Sequence, residues 1–174
     1  MRKPAFMQPR ILKQAIIAAL GPAYTTKFPA EPFEPQEAFR GRPRFNADEC
    51  IGCGACAQVC PPKCIDVIDD LTASPPVRRL VQHLDSCIVC GQCERSCPTQ
   101  KGIRMTTEWD FAGFKPADFE ESIEKKLVMC EVCGEVLAPA DQLEWLTTRL
   151  GPASFANPTL AVYNGIRLGY TEQG

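Results

Sequence analysis

Four cysteines fall within eleven residues, at Cys50, Cys53, Cys56 and Cys60, and Pro61 follows the last of them. Thiols this dense can pair as disulfides, hold zinc, or ligate a cluster of iron and sulfide. The spacing separates these chemistries. C-x2-C-x2-C lets one tight loop reach three corners of a cube. The small residues Gly52, Gly54 and Ala55 let the backbone come close and aim its N–H groups at sulfide. A fourth cysteine three residues later, followed by a proline that turns the chain away, completes a run known to ligate [4Fe–4S] clusters.

The run occurs twice. "CIGCGACAQVCP" begins at Cys50 and "CIVCGQCERSCP" at Cys87, 37 residues on. In this pattern the fourth cysteine of each run serves the other cluster. Cys50, Cys53, Cys56 and Cys97 are therefore expected to hold one [4Fe–4S] cluster, and Cys87, Cys90, Cys93 and Cys60 a second. The competing assignment divides the same eight thiols between two four-thiolate zinc sites. Three cysteines at two-residue gaps suit a cube better.

Elements must bring these loops together. "RPRFNADE" and "VRRLVQHLD" read as strand-like lead-ins to the two runs, and "IDVID" and "IRMTT" as strand-like exits. Each half reads strand, ligand loop, short helix, strand, so the fold class is α+β with a β-α-β-β-α-β core and a pseudo-two-fold repeat. Asp70 to Val77, with Pro75-Pro76, reads as the turn between halves. Before the core, Ile11, Leu12, Ala15, Ile16, Ala19 and Leu20 recur at helical spacing until Gly21-Pro22 ends the helix. This amphipathic N-terminal helix is suited to a membrane or partner surface, or to packing on its own domain. Pro29, Pro32 and Pro35 make the following segment extended. The boundaries expected are 1–42 for the helix and docking segment, 43–108 for the cluster domain, and 109–174 for a helical, turn-rich C-terminal tail.

Composition narrows the function. Nineteen basic and 21 acidic side chains leave a net charge of −2, which asks for no nucleic acid. Eleven cysteines is an odd number, and the start reads as no secretory signal, so the thiols are expected reduced or on metal, in the cytoplasm. The longest apolar run, Ala15 to Ala23, is short of the ~20 residues a bilayer needs.

Residues 43–108 resemble the two-cluster bacterial-type ferredoxins, a resemblance that implies one-electron transfer and no catalytic nucleophile or base. "TTKFPAEPFEPQEAFRGRPRFNADECIGCGACAQVCP", with its Phe39-Arg40-Gly41 step, is similar to the two-cluster subunit of respiratory complex I. "KLVMCEVCGEVLAPADQLEWL" looks like the C-terminal extension of the ferredoxin-like subunit in formate hydrogenlyase and membrane-associated nickel–iron hydrogenases. These resemblances imply a non-catalytic electron-relay subunit, peripheral on the cytoplasmic side of the inner membrane. Its partners would be other redox subunits, and membrane subunits through the N-terminal helix. The alternatives are an NADH:quinone oxidoreductase subunit, a diffusible ferredoxin, and a zinc-stabilised interaction module without redox function.

Some residues stand outside this scheme. Cys130 and Cys133 look like half a zinc knuckle, open to zinc or iron if a partner completes it, against the plainer reading of two reduced thiols in a turn. Cys64 reads as a buried small hydrophobe about one helical turn past Cys60. His83 reads as a strand residue without a carboxylate–nucleophile set. Glu120, Glu121, Glu124, Lys125 and Lys126 read as a solvated helix face. Leu143, Leu146 and Leu150 form an apolar helical stripe between Pro139 and Gly151-Pro152.

Overall fold

A computed structural model describes residues 9–22, 25 and 27–169. The chain divides into two compact units, Met1–Gln36 and Glu37–Gly174. The first carries helix α1 (Pro9–Leu20). Its apolar residues Ile11, Leu12, Ile16, Ile17 and Leu20 are all exposed. No described helix is long and apolar enough to cross a membrane.

The second unit mixes short helices with antiparallel sheets. Its elements run β1 (Pro43–Phe45), α2 (Ala55–Gln58), β2 (Ile65–Asp70), β3 (Val77–His83), α3 (Gln92–Arg95), β4 (Ile103–Met105), β5 (Glu120–Met129), β6 (Val136–Pro139), α4 (Ala140–Leu150) and α5 (Pro158–Leu168). β1 pairs with β4, and a separate four-stranded sheet has the order β2-β3-β5-β6. All pairings are antiparallel.

The tail is not helical throughout, which corrects the sequence expectation. Residues 120–129 form the longest described strand, and the charges expected on a solvated helix face lie along it. Glu120 and Glu124, and Glu121 and Lys125, are four apart, which imitates a helix. The burial alternates with period two instead: Glu121, Ile123, Lys125 and Leu127 turn inward, while Glu120, Ser122, Glu124 and Lys126 are exposed. β5 covers the edge of β3 along its whole length, from Val77 opposite Lys126 to His83 opposite Glu120. That edge would otherwise present unpaired backbone groups. Tertiary pairing thus overrides the local helical pattern.

The core is small. Cys56, Cys64, Ile65, Leu80 and Ile103 form its buried cluster, with Phe45, Ala57, Cys60, Cys87, Cys93, Cys97 and Ile123 packed against it. Much of what would be aliphatic core in another domain is thiol here. In the tail, α4 buries Leu143, partly buries Leu146 and leaves Leu150 exposed. α5 is capped by Asn157, whose side chain accepts from the N–H groups of Thr159 and Leu160.

Candidate metal centre

The 37-residue repeat recurs in the backbone. Gly54 and Gly91 both have φ 75° and stand just before the four-residue helices α2 and α3. Gly52 and Val89 are also left-handed, at φ 69° and 54°, as are Lys63 and Gln100, at 53° and 58°. Each pair is 37 apart. A β-branched residue rarely adopts this region, so Val89 shows how strongly the ligand loop dictates its geometry. The same turn aims amide groups at sulfur. Gly52 N–H lies 3.5 Å from Cys50 Sγ, and Val89 N–H lies 3.5 Å from Cys87 Sγ.

Two cavities result. One is lined by Cys50, Cys53, Cys56 and Cys97 with Phe45, Ile51, Leu80 and Ile103. The other is lined by Cys60, Cys87, Cys90 and Cys93 with Pro43, Cys64, Ile65, Gln82 and Met105. In each, three cysteines come from one run and one from the other. The cysteines thus stand around two spaces, four to each from the two runs.

Burial pushes the Cys56 thiol up to about 12 and the Cys93 thiol up to about 11. Burial also raises Cys50, and it raises Cys64 with help from the neighbouring Cys60. Cys97 moves the other way. Burial acts to raise it, but hydrogen bonds from Thr99 and from the backbone at Gly102 and Ile103 outweigh that effect. Thiols held this high stay protonated unless a metal cation replaces the proton.

The surroundings of the fourth cysteines differ. Cys97 Sγ has Thr99 Oγ1 at 3.3 Å. Cys60 Sγ instead has Cys64 Sγ at 3.3 Å and accepts from Cys64 N–H at 3.3 Å. Cys64 lies beyond the end of α2, where the chain turns through Pro61, Pro62 and the left-handed Lys63, not one helical turn along. It is buried, as expected. His83 does meet carboxylates, Asp66 Oδ2 at 3.0 Å and Glu120 Oε1 at 3.5 Å.

Cys130 and Cys133 share the turn between β5 and β6. Cys130 N–H donates to Glu135 O at 2.8 Å, and Gly134 N–H donates back to Cys130 O at 2.9 Å. The N–H groups of Cys133 and Val132 hold the Cys130 thiol below its usual range. Among the described residues no third ligand joins the pair.

Arg78 and Gln82 near the cradles escaped the sequence reading, and Lys125 was misread there as solvated. Arg78 donates to Asp69 at 2.6 and 2.8 Å and reaches Gly52 O at 3.4 Å. Lys125, 9% exposed, packs its stem on Gly52 and donates to Ala47 O and to Asp141 Oδ2, the latter at 2.8 Å. Gln82 is fully buried. Only Gln82 had a signal: the alternation Leu80, Gln82, Leu84 puts an amide on a core-facing position.

Fold and site define an iron–sulfur domain. Residues 49–101 match the 4Fe-4S dicluster domain model. Over 121 residues it is 35% identical to formate hydrogenlyase subunit 6 of Escherichia coli (strain K12), which covers 70% of this chain and 66% of that protein. Over 39 residues it is 49% identical to the chloroplastic NAD(P)H-quinone oxidoreductase subunit I of Mesostigma viride, covering 22% of each. It is also similar to a chain of the membrane-bound sulfane sulfur reductase, an archaeal respiratory membrane complex. That match has a TM-score of 0.45 and 24% identity over 66% of this chain and 60% of the other. The chain thus spans just under two thirds of formate hydrogenlyase subunit 6, and about a fifth of the quinone oxidoreductase subunit.

Proposed function

We propose that this chain is a non-catalytic electron relay carrying two [4Fe–4S] clusters in a membrane-associated complex of the hydrogenase or formate hydrogenlyase kind. Cys50, Cys53, Cys56 and Cys97 hold one cluster, and Cys87, Cys90, Cys93 and Cys60 the other, in a ferredoxin-type β-α-β-β-α-β repeat over 43–108. The observation that carries this reading is the crossed lining of the two cavities, three cysteines from one run and one from the other. When bound, each cluster supplies reversible uptake of one electron. The protein's part is to hold the thiolates, direct N–H groups at sulfur, and keep water out with Phe45, Ile51, Leu80, Ile65 and Ile103.

The complex is argued from the relatives. Similarity to formate hydrogenlyase subunit 6 runs through most of the chain, including part of the tail or the N-terminal extension outside the cluster domain. The local 49% identity to a quinone oxidoreductase subunit supports the second reading, a subunit of an NADH:quinone oxidoreductase. The exposed apolar row of α1 suits docking on membrane subunits from the cytoplasmic side. Zinc or iron at Cys130 and Cys133 would need donors from a partner. Metal content unchanged in the Cys130→Ser/Cys133→Ser variant would rule that out.

The test is anaerobic purification from the native membrane in mild detergent. About eight iron and eight sulfide per chain are expected for two cubes, with a nickel–iron large subunit among the co-purifying proteins. A chain lacking residues 1–22 should keep its iron and leave the membrane fraction. A brown monomer without partners would point to a diffusible ferredoxin, and a colourless zinc protein would sink the relay altogether.

A further inference from the structure

Strand β3 treats the two cradles differently. Leu80, fully buried, lines the cavity of Cys50, Cys53, Cys56 and Cys97. Gln82, two residues on and equally buried, lines the cavity of Cys87, Cys90, Cys93 and Cys60. Alternation along the strand gives both the same inward sense. One cradle therefore receives an isobutyl group and the other a primary amide.

That amide has no protein partner. Neither Nε2 nor Oε1 of Gln82 makes a hydrogen bond within the described structure. Buried side-chain amides are nearly always paired, because desolvation without a partner is costly. Glu121 stands opposite Gln82 in the β3–β5 register; its Oε1 lies 3.6 Å from Arg44 and its Oε2 is buried without a partner, yet no hydrogen bond joins it to Gln82. Ile65, the neighbour on the other side, has no polar side chain to offer. The remaining side chains on the cradle side are cysteines, apolar groups and the amide of Gln92, which makes no hydrogen bond to Gln82.

On the cluster assignment above, which this inference rests on, the missing partner is sulfur. We propose that Gln82 Nε2 donates a hydrogen bond to a sulfur atom of the cluster held by Cys87, Cys90, Cys93 and Cys60, and so raises that cluster's reduction potential. A donor to sulfur stabilises the extra negative charge of the reduced state, so that state forms more readily. β3 gives the other cradle no amide: it sends Leu80 to that cavity and the Arg78 guanidinium to the Gly52 carbonyl.

The experiment uses the full chain with both clusters, under anaerobic conditions, with EPR-monitored redox titration. Gln82→Met keeps the length of the side chain and removes the donor. Iron, sulfide and spin counts come first. If the unsubstituted protein holds fewer than two clusters, the assignment itself fails. With both present, one potential should move to more negative values in Gln82→Met while the other holds. Two unmoved potentials, or a positive shift, would overturn the role of Gln82. If Gln82→Met fails to retain clusters, electron–nuclear double resonance on the reduced protein labelled with 15N-glutamine decides. A 15N coupling at a cluster supports the bond, and no coupling at either cluster overturns it.

Discussion

Crossed ligation makes a residue-level claim that separates it from two independent sites. Cys60 sits in the first run but lines the cavity of the second. Cys60→Ser should therefore lower iron to about half and remove the signal of the cluster bound by Cys87, Cys90 and Cys93, sparing that of Cys50, Cys53 and Cys56. Loss of the first signal instead would mean that each run ligates for itself. The Cys130 thiol offers a pH test. Its ordinary value is 9.0, and the N–H groups of Cys133 and Val132 lower it. A lowered value means that thiolate accumulates at lower pH, so alkylation of Cys130 by iodoacetamide should reach half its plateau rate below pH 9. A half-plateau at or above 9 would show that the amides do not act. That the eight cysteines of the two runs gather at two cavities was legible, because their spacing and their 37-residue repeat are in the sequence. Lys125 was not, since its role comes from a strand nearly 75 residues beyond the loop that it packs on.

At the scale of elements, β5 and α4 clamp the first ligand loop through that lysine. Lys125 Nζ bridges Ala47 O and Asp141 Oδ2, tying β5 and the start of α4 to the lead-in to Cys50. Asp141→Ala leaves a nearly buried ammonium with one partner fewer. Asp141 is itself half exposed, so the cost should be about 1–2 kcal/mol rather than that of a fully buried pair. Anaerobic urea unfolding of the cluster-loaded protein measures it; no change in midpoint would mean that water replaces the carboxylate. This region is also where sequence reading failed. Charges four apart on Glu120, Glu124, Glu121 and Lys125 fit a helix as well as a strand. What decided the matter was the open edge of β3, which no local pattern reveals. Leu143 and the bounding Pro139 and Gly151, by contrast, set α4 where its apolar spacing put it.

Around the cradles much of the described core is thiol. Cys56 and Cys64 are two of the five residues in the buried cluster, and four more cysteines pack against it. Removal of iron should therefore unfold the second unit instead of leaving an empty scaffold. Circular dichroism during anaerobic chelation should lose the strand signal in step with the visible absorbance. Strand signal that outlasts the colour would show that the aliphatic residues suffice.

The crossed linings have a mechanical consequence. The two halves of the repeat are joined by the loop after β2, where Leu71 is exposed and a proline pair bars regular structure. If each cube takes corners from both halves, that loop is not what keeps them together. Iron would rivet them twice, beside the β1–β4 and β2–β3 pairings, so a protease cutting there would sever the peptide chain and still leave one particle.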